Sequence, residues 1–119
     1  MGVYIYKSLH APYIKIGHYQ GKNAFSRIAH RGFYSCVCPN EIKHCVSLED
    51  MELIAWFPHQ DRKVERLIKS RWRKDRVYGK SEWMPLSKLE EVLQFLLSKE
   101  PNQAHLCDPF EALLTRRRL

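Results

Sequence analysis

The apolar positions of this chain follow two rhythms. Residues 3–6 (Val, Tyr, Ile, Tyr) and 13–17 (Tyr, Ile, Lys, Ile, Gly) are short runs rich in β-branched and aromatic side chains, the composition that favours strands. Between them, Ser8-Leu9-His10-Ala11-Pro12 has turn chemistry and a proline that resists continuing a strand, so the pattern predicts an antiparallel hairpin. Residues 51–57 form a nearly continuous apolar run, broken by Glu52 and closed by Pro58. A run of that length suits a strand buried on both faces at the middle of a sheet.

Helical spacing occurs in three places. Residues 23–31 lack Gly and Pro, set Phe25 and Ile28 on one side and stop at Gly32, which predicts a short helix carrying Arg27 and His30. Asp61 is an N-cap for a helix running to about Arg73, with Val64, Leu67, Ile68 and Trp72 along one stripe. Gly79 and Lys80 break that pattern, and Ser81-Glu82-Trp83-Met84 resumes as a short extended piece ended by Pro85. Ser87-Lys88-Leu89-Glu90 is a capping box, and Leu89, Val92, Leu93, Leu96 and Leu97 predict a further helix behind it. Residues 33–48 fit a strand, a short helix or an extended loop equally well. Past Pro101 the pattern suggests a short helix over 110–114 and a basic end, Arg116-Arg117-Arg118.

These elements predict an α+β fold, with a small central antiparallel sheet of about three strands flanked by helices. One domain is expected over residues 1–99, with residues 100–119 as a tail. A chain of 119 residues, 45% apolar and 12% aromatic, is long enough for one real core and too hydrophobic for intrinsic disorder. No apolar run approaches the roughly 18 residues of a membrane span, and no secretory h-region is present. The expectation is a soluble intracellular protein without membrane partners. Cys36, Cys38, Cys45 and Cys107 form no paired spacing and read as reduced thiols, with a zinc site at Cys38, His44 and Cys45 as the alternative.

Charge changes the picture most. Lys and Arg number 20 against 13 Asp and Glu, a formal net charge of +7, which favours polyanionic partners. Arg62, Lys63, Arg66, Lys69, Arg71, Arg73, Lys74 and Arg76 cluster on or just beyond the Asp61 helix. That is the pattern of a sequence-independent, salt-sensitive phosphate contact, or of a solvated helix face. The first hairpin adds a phenol at Tyr4 and an ammonium at Lys15, and Arg27 follows with a guanidinium. The set suits handling of a phosphodiester.

Taken in order, the hairpin, the Arg27 helix, the buried strand, the Glu65 helix and the Glu-Trp-Met segment resemble the GIY-YIG endonuclease superfamily. Gly2-Val3-Tyr4 is similar to the GIY strand. Lys15-Ile16-Gly17 is similar to YIG with lysine for its tyrosine, a substitution that occurs in parts of the superfamily. Lys15 follows Tyr4 by eleven residues and Arg27 follows Lys15 by twelve, both similar to the family's spacing. Gly79-Lys80-Ser81-Glu82-Trp83-Met84 looks like the Gly-x-x-Glu-Trp-Phe segment of phage-type members with KIG. The resemblance covers about residues 2–97. It departs from the family at Met84-Pro85-Leu86, where many members carry an asparagine after the metal helix.

The resemblance implies a metal-dependent DNA endonuclease that hydrolyses phosphodiester bonds with a single Mg²⁺ or Mn²⁺ held by Glu65. It implies catalytic roles for Tyr4, Lys15, His18, Arg27 and Glu65, and DNA contacts from Arg62, Lys63, Arg66, Lys69, Arg73, Lys74 and Arg76. Tyr4 is the candidate general base. A free phenol has a pKa of about 10, so the Lys15 ammonium is expected to help ionise it. Arg27 would set its fork of donors on phosphate oxygens; His18, and behind it His30, would hydrogen-bond water or phosphate. Double-stranded or branched DNA is the implied substrate, with specificity taken from DNA structure, a homodimer or a partner protein, in a viral or mobile-element setting. The alternative is a non-catalytic nucleic-acid-binding module that keeps the fold, for which the lysine at 15 and the missing asparagine leave room.

Overall fold

The first two strands pair as the alternation of their side chains requires. In the computed structural model, which describes residues 2–20, 39–42, 50–79, 81–99 and 105–106, β1 (Gly2–Ser8) and β2 (Tyr13–Tyr19) form the hairpin, with Tyr4 opposite Gly17 and Tyr6 opposite Lys15. β3 (Met51–Phe57) lies antiparallel on the other side of β1. β4 (Trp83–Pro85) adds to β2, and β5 (His105–Leu106) adds to β3. The strand order is β4-β2-β1-β3-β5, so the sheet has five strands rather than about three. β1, not the apolar run of β3, holds its centre. Residues 105–106, expected to lie in a tail, supply the fifth strand.

The sheet buries a different set of side chains on each face. Val3, Ile5, Ile14, Ile16, Ala55, Phe57 and Met84 form one layer with Ile68, Trp72, Val92 and Leu96. Tyr4, Tyr6, Met51, Leu53, Trp56 and Trp83 form the other with Ile42. Strict alternation along β3 would put Leu53 and Trp56 on opposite faces. A β-bulge resolves this: the register passes from Ile5–Ala55 to Tyr6–Leu53, leaving Ile54 as the extra residue. Both faces of β3 are thereby filled with apolar groups, as its sequence anticipates.

Two described helices cover the first layer. α1 (Arg62–Arg71) starts where Asp61 accepts hydrogen bonds from the amides of Lys63 and Val64, at 3.0 and 3.3 Å. It packs on β1 and β2 and ends two residues earlier than expected, passing through Trp72 into a 3-10 turn at Arg73–Asp75. α2 (Leu89–Lys99) follows a 3-10 turn at Leu86–Lys88. Ser87 therefore lies inside that turn instead of capping the helix. Arg71 lies over the rings of Trp72 and Phe95, 5.1 and 5.5 Å from their centroids, and so ties α1 to α2. No helix among the described residues is long and apolar enough to cross a membrane. The helix expected over 23–31, with Arg27 and His30, lies outside the described residues, as do the four cysteines, His44, the helix expected over 110–114 and Arg116 to Arg118.

Candidate functional site

β1 and β2 bring Tyr4 and Lys15 onto the same face of the sheet. The Tyr4 ring lies across Gly17, where a Cβ would collide with the phenol oxygen and Cζ, so glycine at 17 is required for space. Tyr4 is fully buried and packs edge-on against Tyr6, with ring centroids 5.4 Å apart. The Lys15 ammonium is 5.8 Å from the centroid of the Tyr4 ring. Lys15 is itself fully buried, which demands a counter-charge.

Glu82 supplies it. Its backbone is fixed beside β2, because the amide of Ile16 donates to the Glu82 carbonyl at 3.1 Å. Its side chain accepts from two ammonium groups: Lys15 donates to Oε2, and Lys69 donates to Oε1 at 3.1 Å. The Lys69 ammonium also donates to Glu65 Oε1 at 2.5 Å, one helical turn away on α1. Lys15, Glu82, Lys69 and Glu65 thus form one alternating chain of charge. Side-chain exposure rises outward from 0% at Lys15 to 25% at Glu82 and 22% at Lys69, with Glu65 at 11%.

Burial would raise the pKa of Glu82, but the ammonium charges of Lys15 and Lys69 and their hydrogen bonds outweigh it and hold the carboxyl below its ordinary 4.5. A carboxyl with a depressed folded pKa stabilises the fold above its unfolded value and loses that contribution as pH falls through the folded value. The expected result is a urea midpoint that falls as pH drops below the ordinary 4.5 of the carboxyl, with a shallower slope in Glu82→Gln than in the wild type. Parallel slopes would remove Glu82 from the acid response.

His18 continues β2 on the helix side of the sheet. Its pKa is lowered by burial first, then by Arg62 and the chain's amino terminus, against the opposing pull of Glu65 and Asp61. Its Nε2 is buried and finds no hydrogen-bond partner among the described residues. His18 thus senses Glu65 electrostatically, from the opposite side of the sheet to Tyr4.

Of the residues singled out from the sequence, Tyr4, Lys15 and Glu65 belong to one connected assembly, His18 lies in the field of Glu65, and Arg27 lies outside the described residues. The expected help from Lys15 to Tyr4 takes a different form: Glu82 compensates the ammonium, so Tyr4 faces a lysine–glutamate pair instead of a bare cation. Lys69, expected to contact DNA, holds both carboxylates. Glu82 was not among the expected site residues. Its signal was a lone carboxylate beside the buried Trp83, in a chain that also buries a strand lysine.

The arrangement has the donor chemistry for a hard divalent cation. Oxygens of Glu65 and Glu82 meet at one cationic position, which the Lys69 ammonium fills. Among the described residues there is no group of three or more His, Cys, Asp and Glu that could hold a metal ion. A cation at this position would have two protein carboxylates and would rely on water and substrate oxygens for the remainder of its shell. No protein-family model, curated protein or solved structure matches this chain.

Proposed function

We propose that this protein is a small metal-dependent endonuclease of the GIY-YIG type that hydrolyses phosphodiester bonds in DNA. One observation carries the reading. Tyr4, Lys15 and Glu65, which the resemblance names together as site residues, lie on a single chain of contacts completed by Glu82 and Lys69. Three distant segments supply them, which is hard to account for as surface decoration. Arg66, Arg73 and Arg76 line one groove with Lys69, so a phosphate backbone is drawn toward the carboxylates.

In this reading Glu65 and Glu82 would hold Mg²⁺ or Mn²⁺, and the ion would supply acidification of bound water and neutralisation of charge on the phosphoryl oxygens. Tyr4, having lost its own proton to solvent, would accept at its phenolate oxygen the proton released by the attacking water. Lys15 and Glu82 fix each other and so set the wall against which Tyr4 packs. Arg27 remains the proposed fork on the phosphate.

A second reading, a nucleic-acid-binding module without catalysis, is favoured by the burial of Tyr4 and Lys15 and the ion pairing of both carboxylates. Nicking of supercoiled plasmid with Mg²⁺ or Mn²⁺ separates the two. The nuclease reading expects relaxation by the wild type and at least a tenfold slower rate in Glu65→Ala. DNA binding with a steep salt slope and no cleavage with either metal decides for the binding module.

A further inference from the structure

The basic residues around α1 are not equivalent. Arg66, Lys69, Ser70, Arg73, Arg76 and Gly79 line one groove of about 370 Å³. Arg62, Lys63 and Lys74 are not part of its wall, and no acidic residue among the described residues lines it. The donors come from three pieces of chain. The helix supplies Arg66 and the Ser70 hydroxyl, the 3-10 turn supplies Arg73, and the segment leading toward β4 supplies Arg76. Arg76 is oriented by its own backbone contacts, with Nε donating to the Ser81 carbonyl at 2.7 Å and Nη1 to the Lys69 carbonyl at 3.4 Å. Gly79 closes the rim with φ of 71°, and a Cβ there would meet nothing within 4 Å. Backbone conformation, not space, asks for glycine. Guanidinium forks and a hydroxyl around a concavity without carboxylates form a donor set for a phosphate group.

Lys69 belongs to this groove and to the carboxylate pair at once. We propose that the groove is a subsite for a backbone phosphate and that Lys69 is an exchangeable cation shared between it and Glu65 and Glu82. A phosphate seated among Arg66, Arg73 and Arg76 draws the ammonium out of the carboxylate pair, and a divalent cation takes the vacated position. The exchange sets ammonium against phosphate and the divalent cation against two carboxylates, one of which Lys15 also holds, so the cation site carries one net positive charge that a further phosphate oxygen compensates. The coupling is reciprocal, so the cation tightens phosphate binding by the factor by which phosphate tightens cation binding. The inference rests on the nucleic-acid reading above for the source of the phosphate. The coupling itself needs only the phosphate group.

The test uses the full chain and a short fluorescein-labelled DNA duplex, followed by anisotropy, with gels to confirm that the duplex stays intact. In EDTA, Arg66→Ala and Arg73→Ala are expected to weaken binding about tenfold each and to lower the salt slope by about one. Lys99→Ala, which removes the same charge at the end of α2, should change affinity less than about twofold. Ca²⁺ should tighten the wild-type complex at least about fivefold. In Lys69→Met that ratio should fall to about one, while calorimetry without DNA should show tighter Ca²⁺ binding than in the wild type. Equal losses in Lys99→Ala and the two arginine variants would overturn the subsite, and an unchanged Ca²⁺ ratio in Lys69→Met would overturn the shared ammonium. Inorganic phosphate separates the sources. If it raises Ca²⁺ affinity in the wild type while the duplex does not bind, the subsite stands and the nucleic-acid reading fails. If the duplex binds but is indifferent to the groove variants, the reading stands and the subsite fails.

Discussion

Lys15→Ala is expected to cost about 3–5 kcal/mol of folding stability, because it removes one member of a buried ion pair and leaves a hole in a close-packed layer. Lys15 is fully buried, with its ammonium near the Tyr4 ring and Trp83 its cross-strand partner, and Glu82 would keep Lys69 alone as counter-charge. Domains of this size have about 5–15 kcal/mol in total, so the variant should sit close to the edge of folding. Its urea midpoint measures the loss. Lys15→Met fills most of the volume without the charge, and combined with Glu82→Met it should recover much of the stability, since apolar replacement of a whole buried pair is often neutral. Lys69 then retains Glu65. A Lys15→Ala midpoint equal to that of the wild type would mean that the Lys15–Glu82 pair does not hold the sheet together.

What the sequence made legible was mainly local. The hairpin, the Asp61 cap and most of the apolar stripe of α1 follow from residues near one another and stand in the structure, with Val64, Ile68 and Trp72 on the core and Leu67 instead 51% exposed. The position of β3 was not legible, because a continuous apolar run reports burial on both faces but not which strands lie beside it. The bulge at Ile54 was hidden for the same reason: alternation along one strand carries no information about its partner's register. Ser87 and Glu90 have capping-box spacing, but the 3-10 turn after Pro85 takes over the start of α2.

The candidate site divides along the same line. Lys69 and Glu65 are four residues apart on a helix, and their pairing can be read directly from that spacing. The Lys15–Glu82 pair joins residues 67 apart in sequence and depends on β4 folding back on β2. Sequence reasoning could nominate Lys15 as a charge near Tyr4, but only the tertiary fold reveals that this charge is already compensated.

The central claim is that Tyr4 acts chemically within this ion-paired assembly. Tyr4→Phe tests it most directly, because it deletes one oxygen and keeps the ring that packs on Tyr6 and Gly17. Single-turnover cleavage of duplex DNA with Mn²⁺ is expected to slow by about 10²–10⁴-fold, the range for loss of a general acid or base, with DNA affinity in EDTA and urea midpoint near wild type. Cleavage by Tyr4→Phe at the wild-type rate would contradict the account and leave Tyr4 a packing residue of the sheet.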